Sequence, residues 1–320
     1  MPRPPAFWSE KDAPAARLLA PLGHVYGRIA ARRIARAAPY RAPVPVICVG
    51  NATMGGVGKT PFALLLLRLL AGMGRAPHAL TRGYGGTERG PHRVTGDADG
   101  AARVGDEALL LAEAAPVWVS ADRPAGARAA VSAGADVIVM DDGFQNPSLA
   151  KTLSFLLIDA ETAFGNGRVF PAGPLREPPG AAAARADALV SVGGAPPDAL
   201  HALADGKPLL RADLALDAAS VPDGPLLAFA GIGRPERFFE SLARAGGRVV
   251  RARAFPDHHP YREAELDALL AEAEAMGAAL VTTAKDAVRL PPAYRDRVRT
   301  VPACMVSPDE ARIRTLLEAL

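Results

Sequence analysis

An α/β fold made of a larger and a smaller domain is what the sequence predicts, and three stretches predict it. The first is Pro45–Leu70, PVICVGNATMGGVGKTPFALLLLRLL. Its apolar run Val46, Ile47, Cys48 and Val49 breaks into a glycine-rich turn that delivers Gly58-Lys59-Thr60 to a Leu-rich helical pattern. Such a strand–loop–helix junction binds phosphate, because glycines let backbone N–H groups point inward and the helix N-terminus adds partial positive charge. Gly55, Gly56, Gly58 and Lys59 are therefore candidate nucleotide ligands, with Lys59 reaching the β- and γ-phosphates and the Thr60 hydroxyl on magnesium. The second stretch, Asp136–Gln145, is a buried strand pattern that ends in Asp141-Asp142. A carboxylate at such a strand tip holds magnesium or its waters, and two adjacent carboxylates need a cation nearby. In the third, from Leu226 onward, the alternation of strand and helix patterns begins again on a smaller scale. The prediction is a P-loop NTPase-type α/β/α domain with a mostly parallel sheet over residues 1–215, and a smaller α/β domain over 216–320 that closes the cleft.

The phosphate loop is a deviant one. Thr53 stands where the usual pattern has its first glycine, leaving GGxGKT from Gly55 to Thr60. A glycine-rich turn that merely caps a helix is the bland alternative, and the flanking strand and helix argue against it.

At 320 residues the chain is long enough for two cores, and 49% hydrophobic with 22% charged residues is ordinary globular composition. A net charge of +3 fits acidic partners such as nucleotides, phosphorylated substrates or an anionic membrane surface without choosing among them. Only five of the 37 basic residues are lysine. Cys48 and Cys304 lie far apart in apolar, strand-like contexts and imply reduced core thiols rather than a disulfide framework. The N-terminal MPRPPAFWSEKDAP lacks the apolar segment of a secretory signal. The longest charge-free stretch, 42–58, is the phosphate-loop region itself, so no transmembrane span is expected.

Residues 15–36 predict a helix, or two helical segments interrupted near Pro21 and Gly23. Leu18, Leu22, Val25 and Ile29 keep helical spacing, and Arg28, Arg32, Arg33 and Arg36 crowd the end. Two readings stand: a face laid on an anionic membrane, or a helix packed on the domain with arginines answering its dipole. After the phosphate loop, 75–80 predicts a strand ending in Thr81-Arg82-Gly83-Tyr84-Gly85-Gly86, either a ligand contact or a plain turn. A polar loop or irregular hairpin over 87–103 leads to Asp106-Glu107 at the head of a helical run, where spacing alone favours a helix cap for Asp106. A strand at 117–120, a helix from Arg123 to Ser132 and a buried strand at 154–158 follow. The segment 161–180 is too rich in glycine and proline for helix or central strand. With Arg168 and Arg176 on it, a substrate-gripping loop is favoured over a bland connector. A helix at 181–188 and a strand at 189–192 precede a passage between domains near 208–222.

In the C-terminal part, strands are predicted at 226–230, 248–254 and 279–283, with helices at 236–245, 262–276 and from Asp309. Between them lie the turn Gly231–Pro235, the run Phe255–Tyr261 with its His258-His259 pair, and Ala284-Lys285-Asp286. The histidine pair is open to two readings, a metal fragment or a turn with surface histidines; no Cys or spaced His cluster completes a metal set.

Three classes of phosphate-loop protein compete: a small-molecule or lipid kinase, a partition-type ATPase switch and a GTPase-like metallochaperone. Met54 stands where the switch class has its signature lysine. Lys285 and Asp286 lack the preceding Asn of a guanine-reading pattern, and the Cys or His runs of metallochaperones are missing. A kinase, with a nucleotide domain and a second domain to close over an acceptor, remains.

The strings GNATMGGVGKTP, TRGYGG, VGDEALLLA, DDGFQN, GNGRVFPAGPLREP, FAGIGRPERFF, FPDHHPY and TTAKDAVRL, in this order from Val46 to Leu290, resemble the tetraacyldisaccharide 4′-kinase family. That resemblance implies an ATP- and Mg²⁺-dependent transfer of the γ-phosphate to the 4′-hydroxyl of tetraacyldisaccharide 1-phosphate, giving lipid IVA in lipid A biosynthesis. It further implies a monomeric protein, peripheral on the cytoplasmic face of the inner membrane of a Gram-negative bacterium, meeting an anionic membrane surface and no nucleic acid. Carried over by motif, Asp106 is the catalytic base assisted by His258. Asp141, Asp142 and Gln145 serve the metal and nucleotide site, and Glu107, Arg123 and Arg176 support substrate. Two departures stand out: Asn146 replaces the histidine of DDGFQH, and Ala284 replaces the acidic residue of TEKD.

Overall fold

The computed structural model describes residues 5–96 and 99–320. Eight strands come first: β1 (Val46–Asn51), β2 (Pro77–Thr81), β3 (His92–Arg93), β4 (Val117–Val119), β5 (Val137–Asp141), β6 (Leu153–Asp159), β7 (Ala188–Val192) and β8 (Leu209–Leu216). Four more, β9 (Pro225–Ala230), β10 (Arg248–Ala254), β11 (Ala279–Thr283) and β12 (Arg299–Val301), form a separate sheet before β13 (Ala303–Val306) returns to the first. The larger sheet has the order β13-β8-β7-β6-β1-β5-β2-β4-β3, parallel from β8 to β4 and closed at its ends by antiparallel β13 and β3. The smaller sheet, β10-β9-β11-β12, is all parallel.

The helices are α1 (Pro14–Ala35), α2 (Lys59–Gly72), α3 (Ala101–Val104), α4 (Asp106–Ala112), α5 (Arg123–Ser132), α6 (Pro179–Arg185), α7 (Asp198–Ala204), α8 (Pro235–Arg244), α9 (Glu263–Ala275), α10 (Ala284–Ala287), α11 (Pro292–Arg295) and α12 (Glu310–Glu318). Every residue of β1, β5, β6 and β7 is buried, which is why these strands read as unbroken apolar runs: a parallel sheet is covered on both faces. Ile47, Val49 and Val139 pack with Phe62, Leu66 and Leu70 of α2 on one face, while Cys48, Ile138 and Met140 meet Ala127 and Ala130 of α5 on the other. In the smaller unit α9 covers Leu227 and Phe229, and α8 covers Leu226 and Ala228.

Three expectations are corrected. The passage predicted near 208–222 contains β8, a strand of the larger sheet bonded to β7. Its polar alternation hid it, because an edge-proximal strand buries only part of its side chains. The division at 215/216 also fails at the C-terminus. β13 pairs with β8, and Ile313 and Leu317 of α12 complete the core above α2, so the last 18 residues belong to the larger unit. Finally, α1 runs without interruption through Pro21 and Gly23. Gly23 is there for contact rather than as a breaker, since a Cβ on it would lie 2.6 Å from the Val169 carbonyl oxygen. The loop predicted over 87–103 holds the short β3 and α3; Asp97 and Ala98 within it lie outside the described residues.

The segment 161–180 is irregular, as expected, and works as a strap. At one end Phe170 meets the rings of Trp8 and Tyr26, and the Trp8 Nε1–H donates to Pro171 O at 3.2 Å. At the other, Met54 N donates to Pro174 O and Arg176 N to Ala52 O, each at 2.7 Å. One loop thus joins α1 to the phosphate loop.

Candidate active site

The phosphate loop runs from the carboxyl end of β1 to α2. Gly58 occupies the N-cap of α2 at φ +86°, a left-handed conformation that a side chain would strain, and a Cβ there would sit 2.9 Å from Met305 Cε. The returning β13 therefore buttresses the loop. Gly55 is also left-handed, at φ +112°. Lys59 Nζ lies 3.3 Å from Asn51 Oδ1 and 3.7 Å from Asp142 Oδ1. The Thr60 hydroxyl donates to Asp141 Oδ2 at 2.9 Å, joining the two predicted magnesium residues across 81 positions of sequence.

Asp141 is buried and its Oδ1 has no hydrogen-bond partner. Burial, then the charges of Glu107 and Asp142, push its carboxyl up to about 7. Glu107 is likewise raised, first by burial, with Asp106 and Asp142 adding to it. An orphaned oxygen among crowded carboxylates fits a divalent cation, which would relieve the repulsion. Among the described residues no group of three or more His, Cys, Asp or Glu forms a complete cage. That donor set suits Mg²⁺, which takes one or two carboxylates and fills its shell with phosphate and water.

Asp142 adopts φ +48° and takes a bidentate pair from Arg176, 3.0 Å to Oδ1 and 3.4 Å to Oδ2. Burial opposes its ionisation, but Lys59 and Arg176 outweigh that and hold the carboxyl below its usual range. Gln145 accepts from Arg176 at 3.1 Å and donates to Asn51 O at 2.8 Å and Glu177 Oε1 at 3.0 Å, so it braces the strap against the end of β1. Arg123 stands apart from this group. It is buried at the start of α5, donates to Ser120 O, and its Nε has no partner.

The two residues of the predicted dyad, at the start of α4 and in the turn after β10, meet. Asp106 follows Gly105, where an added Cβ would strike Tyr84 O at 2.5 Å; the glycines of VGDE and TRGYGG let these two loops touch. Asp106 is the first residue of α4 rather than its cap: Oδ1 accepts from Glu107 N at 3.1 Å, and Oδ2 faces His258 Nδ1 at 3.0 Å. His258 sits at φ +59° with its ring 5.8 Å from that of Tyr84. His259 turns away to Glu265 at 3.0 Å, which separates the two histidines that the sequence left open. Burial would raise Asp106, yet the His258 hydrogen bond and the charges of Lys285, His258 and Arg289 bring it below the ordinary carboxylate range.

Asn51, Glu177, Lys285 and Arg289 were missed as site residues, although GNATMGG, LREP and TTAKDAVRL contain them. Asn146, one of the two departures, caps a turn: its Oδ1 accepts from Ser148 N at 3.0 Å and Ser148 Oγ at 2.8 Å. Ala284 opens α10, whose cap is Thr283.

A phosphate loop with a strand-tip aspartate on a central parallel sheet, facing a carboxylate–histidine pair, defines a P-loop NTPase-type phosphotransferase. The chain belongs to the tetraacyldisaccharide-1-P 4′-kinase family, whose family model matches residues 15–320. Relatives named tetraacyldisaccharide 4′-kinase include one from Paramagnetospirillum magneticum, 55% identical with 92% of each chain covered. Another, from Gluconacetobacter diazotrophicus, is 52% identical over 98% of this chain and 97% of its own. Among solved structures, LpxK from Aquifex aeolicus in complex with ATP superimposes with a TM-score of 0.75 at 27% identity, covering 95% of this chain and 98% of that one.

Proposed function

We propose that the chain transfers the γ-phosphate of ATP to the 4′-hydroxyl of tetraacyldisaccharide 1-phosphate, forming lipid IVA in lipid A biosynthesis. The observation that carries the mechanism is the 3.0 Å contact between Asp106 and His258, next to Glu107, which feels the charges of Lys59 and Asp142. That proximity supports a reading in which the acceptor hydroxyl meets Asp106 beside the nucleotide phosphates held by Lys59.

Phosphoryl transfer asks mainly for positioning and charge neutralisation, with a carboxylate to take the hydroxyl proton. Lys59 and the loop N–H groups around Gly55, Gly56 and Gly58 hold the β- and γ-phosphates. Thr60 and Asp141 would hold Mg²⁺, which would supply neutralisation of the phosphate charge. Asp142 and Gln145 keep Arg176 and the strap aligned on the nucleotide, Asp106 accepts the proton, and His258 orients Asp106. Glu107 and Arg176 are assigned to the substrate side, whereas the buried Arg123, bonded to Ser120 O, acts from behind the site.

The lipid acceptor calls for contact with a membrane. Leu18, Leu22, Val25, Tyr26 and Ile29 form an exposed apolar face of α1, 81% exposed at Leu18 and 62% at Ile29, flanked by exposed Arg28, Arg32, Arg33 and Arg36. No helix among the described residues is long and apolar enough to cross a membrane. A peripheral helix lying on an anionic surface, at the cytoplasmic face of the inner membrane where ATP is available, accounts for that face.

The test is transfer of labelled γ-phosphate to tetraacyldisaccharide 1-phosphate in detergent micelles with Mg²⁺. Labelled lipid from the wild type, lost with Lys59→Ala and reduced by orders of magnitude with Asp106→Asn, is expected. ATP hydrolysis without labelled lipid would refute the kinase reading. Co-sedimentation with anionic vesicles, abolished by Leu18→Ser together with Ile29→Ser, checks the membrane contact.

A further inference from the structure

The TTAKD turn was singled out by sequence and is given no task by the roles above. Thr283 and Asp286 lock it. Thr283 Oγ1 donates to Asp286 Oδ2 at 2.6 Å, and the buried Asp286 also accepts from Gly231 N at 2.9 Å, Tyr261 OH at 2.6 Å and Arg289 Nη2 at 2.8 Å. Held this way, α10 presents the neighbouring Lys285 to the dyad. Lys285 Nζ lies 3.4 Å from His258 Nε2, 3.8 Å from Asp257 Oδ1 and 4.0 Å from Asp106 Oδ2. With two carboxylates in range, its nearest partner is the imidazole.

An ammonium has three donors and no acceptor, so the ring nitrogen facing Lys285 must be the acceptor. The ring proton then sits on Nδ1 and is donated to Asp106 Oδ2 at 3.0 Å. The opposite tautomer finds no acceptor among the protein groups around it, because Asp257 Oδ2 is 3.7 Å from Nε2, beyond hydrogen-bond reach. The charged and titratable groups around the pair are Glu107 on α4, Asp257 beside His258, Lys285 on α10, Arg289 with Nε 3.7 Å from Asp106 Oδ2, and the Tyr84 ring.

We propose that Lys285 is a positioning residue of the Asp106–His258 pair: it selects the tautomer that donates from Nδ1 and keeps the Asp106 carboxylate charged. The inference rests on the reading of Asp106 as the base. Removing Lys285 takes away one of the charges that hold Asp106 below its usual range, so Asp106 protonates at higher pH.

The experiment measures kcat/KM for tetraacyldisaccharide 1-phosphate against pH at saturating Mg²⁺ and ATP, for the full-length wild type, Lys285→Met, Lys285→Arg and Asp106→Asn. Two-bond ¹H–¹⁵N spectra of the histidines accompany it. The acid limb of Lys285→Met is expected to move up by about one pH unit, roughly a tenfold loss on that limb that shrinks toward alkaline pH. Lys285→Arg should restore it, and wild-type His258 should show a protonated Nδ1 and a bare Nε2. A wild-type Nε2–H signal, or a Lys285→Met profile lowered uniformly or unchanged while Asp106→Asn is inactive, overturns the role of Lys285 alone. An active Asp106→Asn brings down the base assignment and this inference together.

Discussion

Asp141 illustrates how the cation site and stability oppose each other at the scale of one residue. Its folded-state carboxyl is raised to about 7, so the native protein binds a proton that the unfolded chain releases near its ordinary value of 3.8. Stability from this group is full below the unfolded value and is lost as pH rises through about 7. In EDTA, thermal unfolding should therefore show a loss of ~2 kcal/mol or more between acid and neutral pH, at ~1.4 kcal/mol per pKa unit. Asp141→Asn should flatten that dependence and raise Tm by a few degrees at pH 8 while abolishing Mg²⁺-dependent transfer. A variant as pH-sensitive as the wild type would refute this account. Thr60 and Asp141, named together from the sequence, do meet at 2.9 Å, because a strand tip beside a phosphate loop has few alternatives. Lys285 was not legible as a site residue, since its effect depends on which side of α10 faces the dyad.

At the scale of elements, the strap between α1 and the phosphate loop matters most. Val169 and Phe170 rest on α1 while Pro174, Leu175 and Arg176 bond the backbone of Ala52–Met54. A side chain at Gly23 must displace the Val169 carbonyl, 2.6 Å from where its Cβ would sit. Gly23→Leu is expected to cost about 1–3 kcal/mol through overpacking. It should raise KM for ATP although Gly23 lies on a helix remote in sequence from the loop. An unchanged ATP KM in a destabilised Gly23→Leu protein would separate α1 from the nucleotide site. From sequence, Pro21 and Gly23 suggested a break, because the partner that fills the space beside Gly23 lies nearly 150 residues away.

On the scale of the whole molecule, the two sheets are tied at Asp159. This buried carboxylate at the end of β6 accepts from Thr162 N at 2.9 Å and from Arg234 and Arg237 of the smaller unit at 3.2 and 3.1 Å. Arg237 also pairs with Glu161. Arg234 and Arg237 stand at the N-terminal end of α8, where positive charge opposes the helix dipole, so their gain comes from across the interface. Both arginines are substantially exposed and salt screens such pairs. Asp159→Ala is expected to lower kcat severalfold, with urea stability reduced by ~1–2 kcal/mol from the lost hydrogen bonds. It should also remove most of the wild-type decline in kcat between low and high salt. Equal salt dependence in the two proteins would show that this tie does not govern closure.

Sequence by itself determined the α/β class, the phosphate loop, the strand-tip aspartates and the motif set that identifies the family. Each of these is local, written within one strand, turn or helix start. Tertiary structure alone decided that β8 and β13 complete the larger sheet, with α12 packed on it, and that His259 turns away to Glu265. It also decided that Met305 supports Gly58 and that Lys285 faces the imidazole. Those facts depend on which side chains meet from distant parts of the chain; the pairing of residues 106 and 258 was implied by the resemblance, and its geometry comes only from the fold.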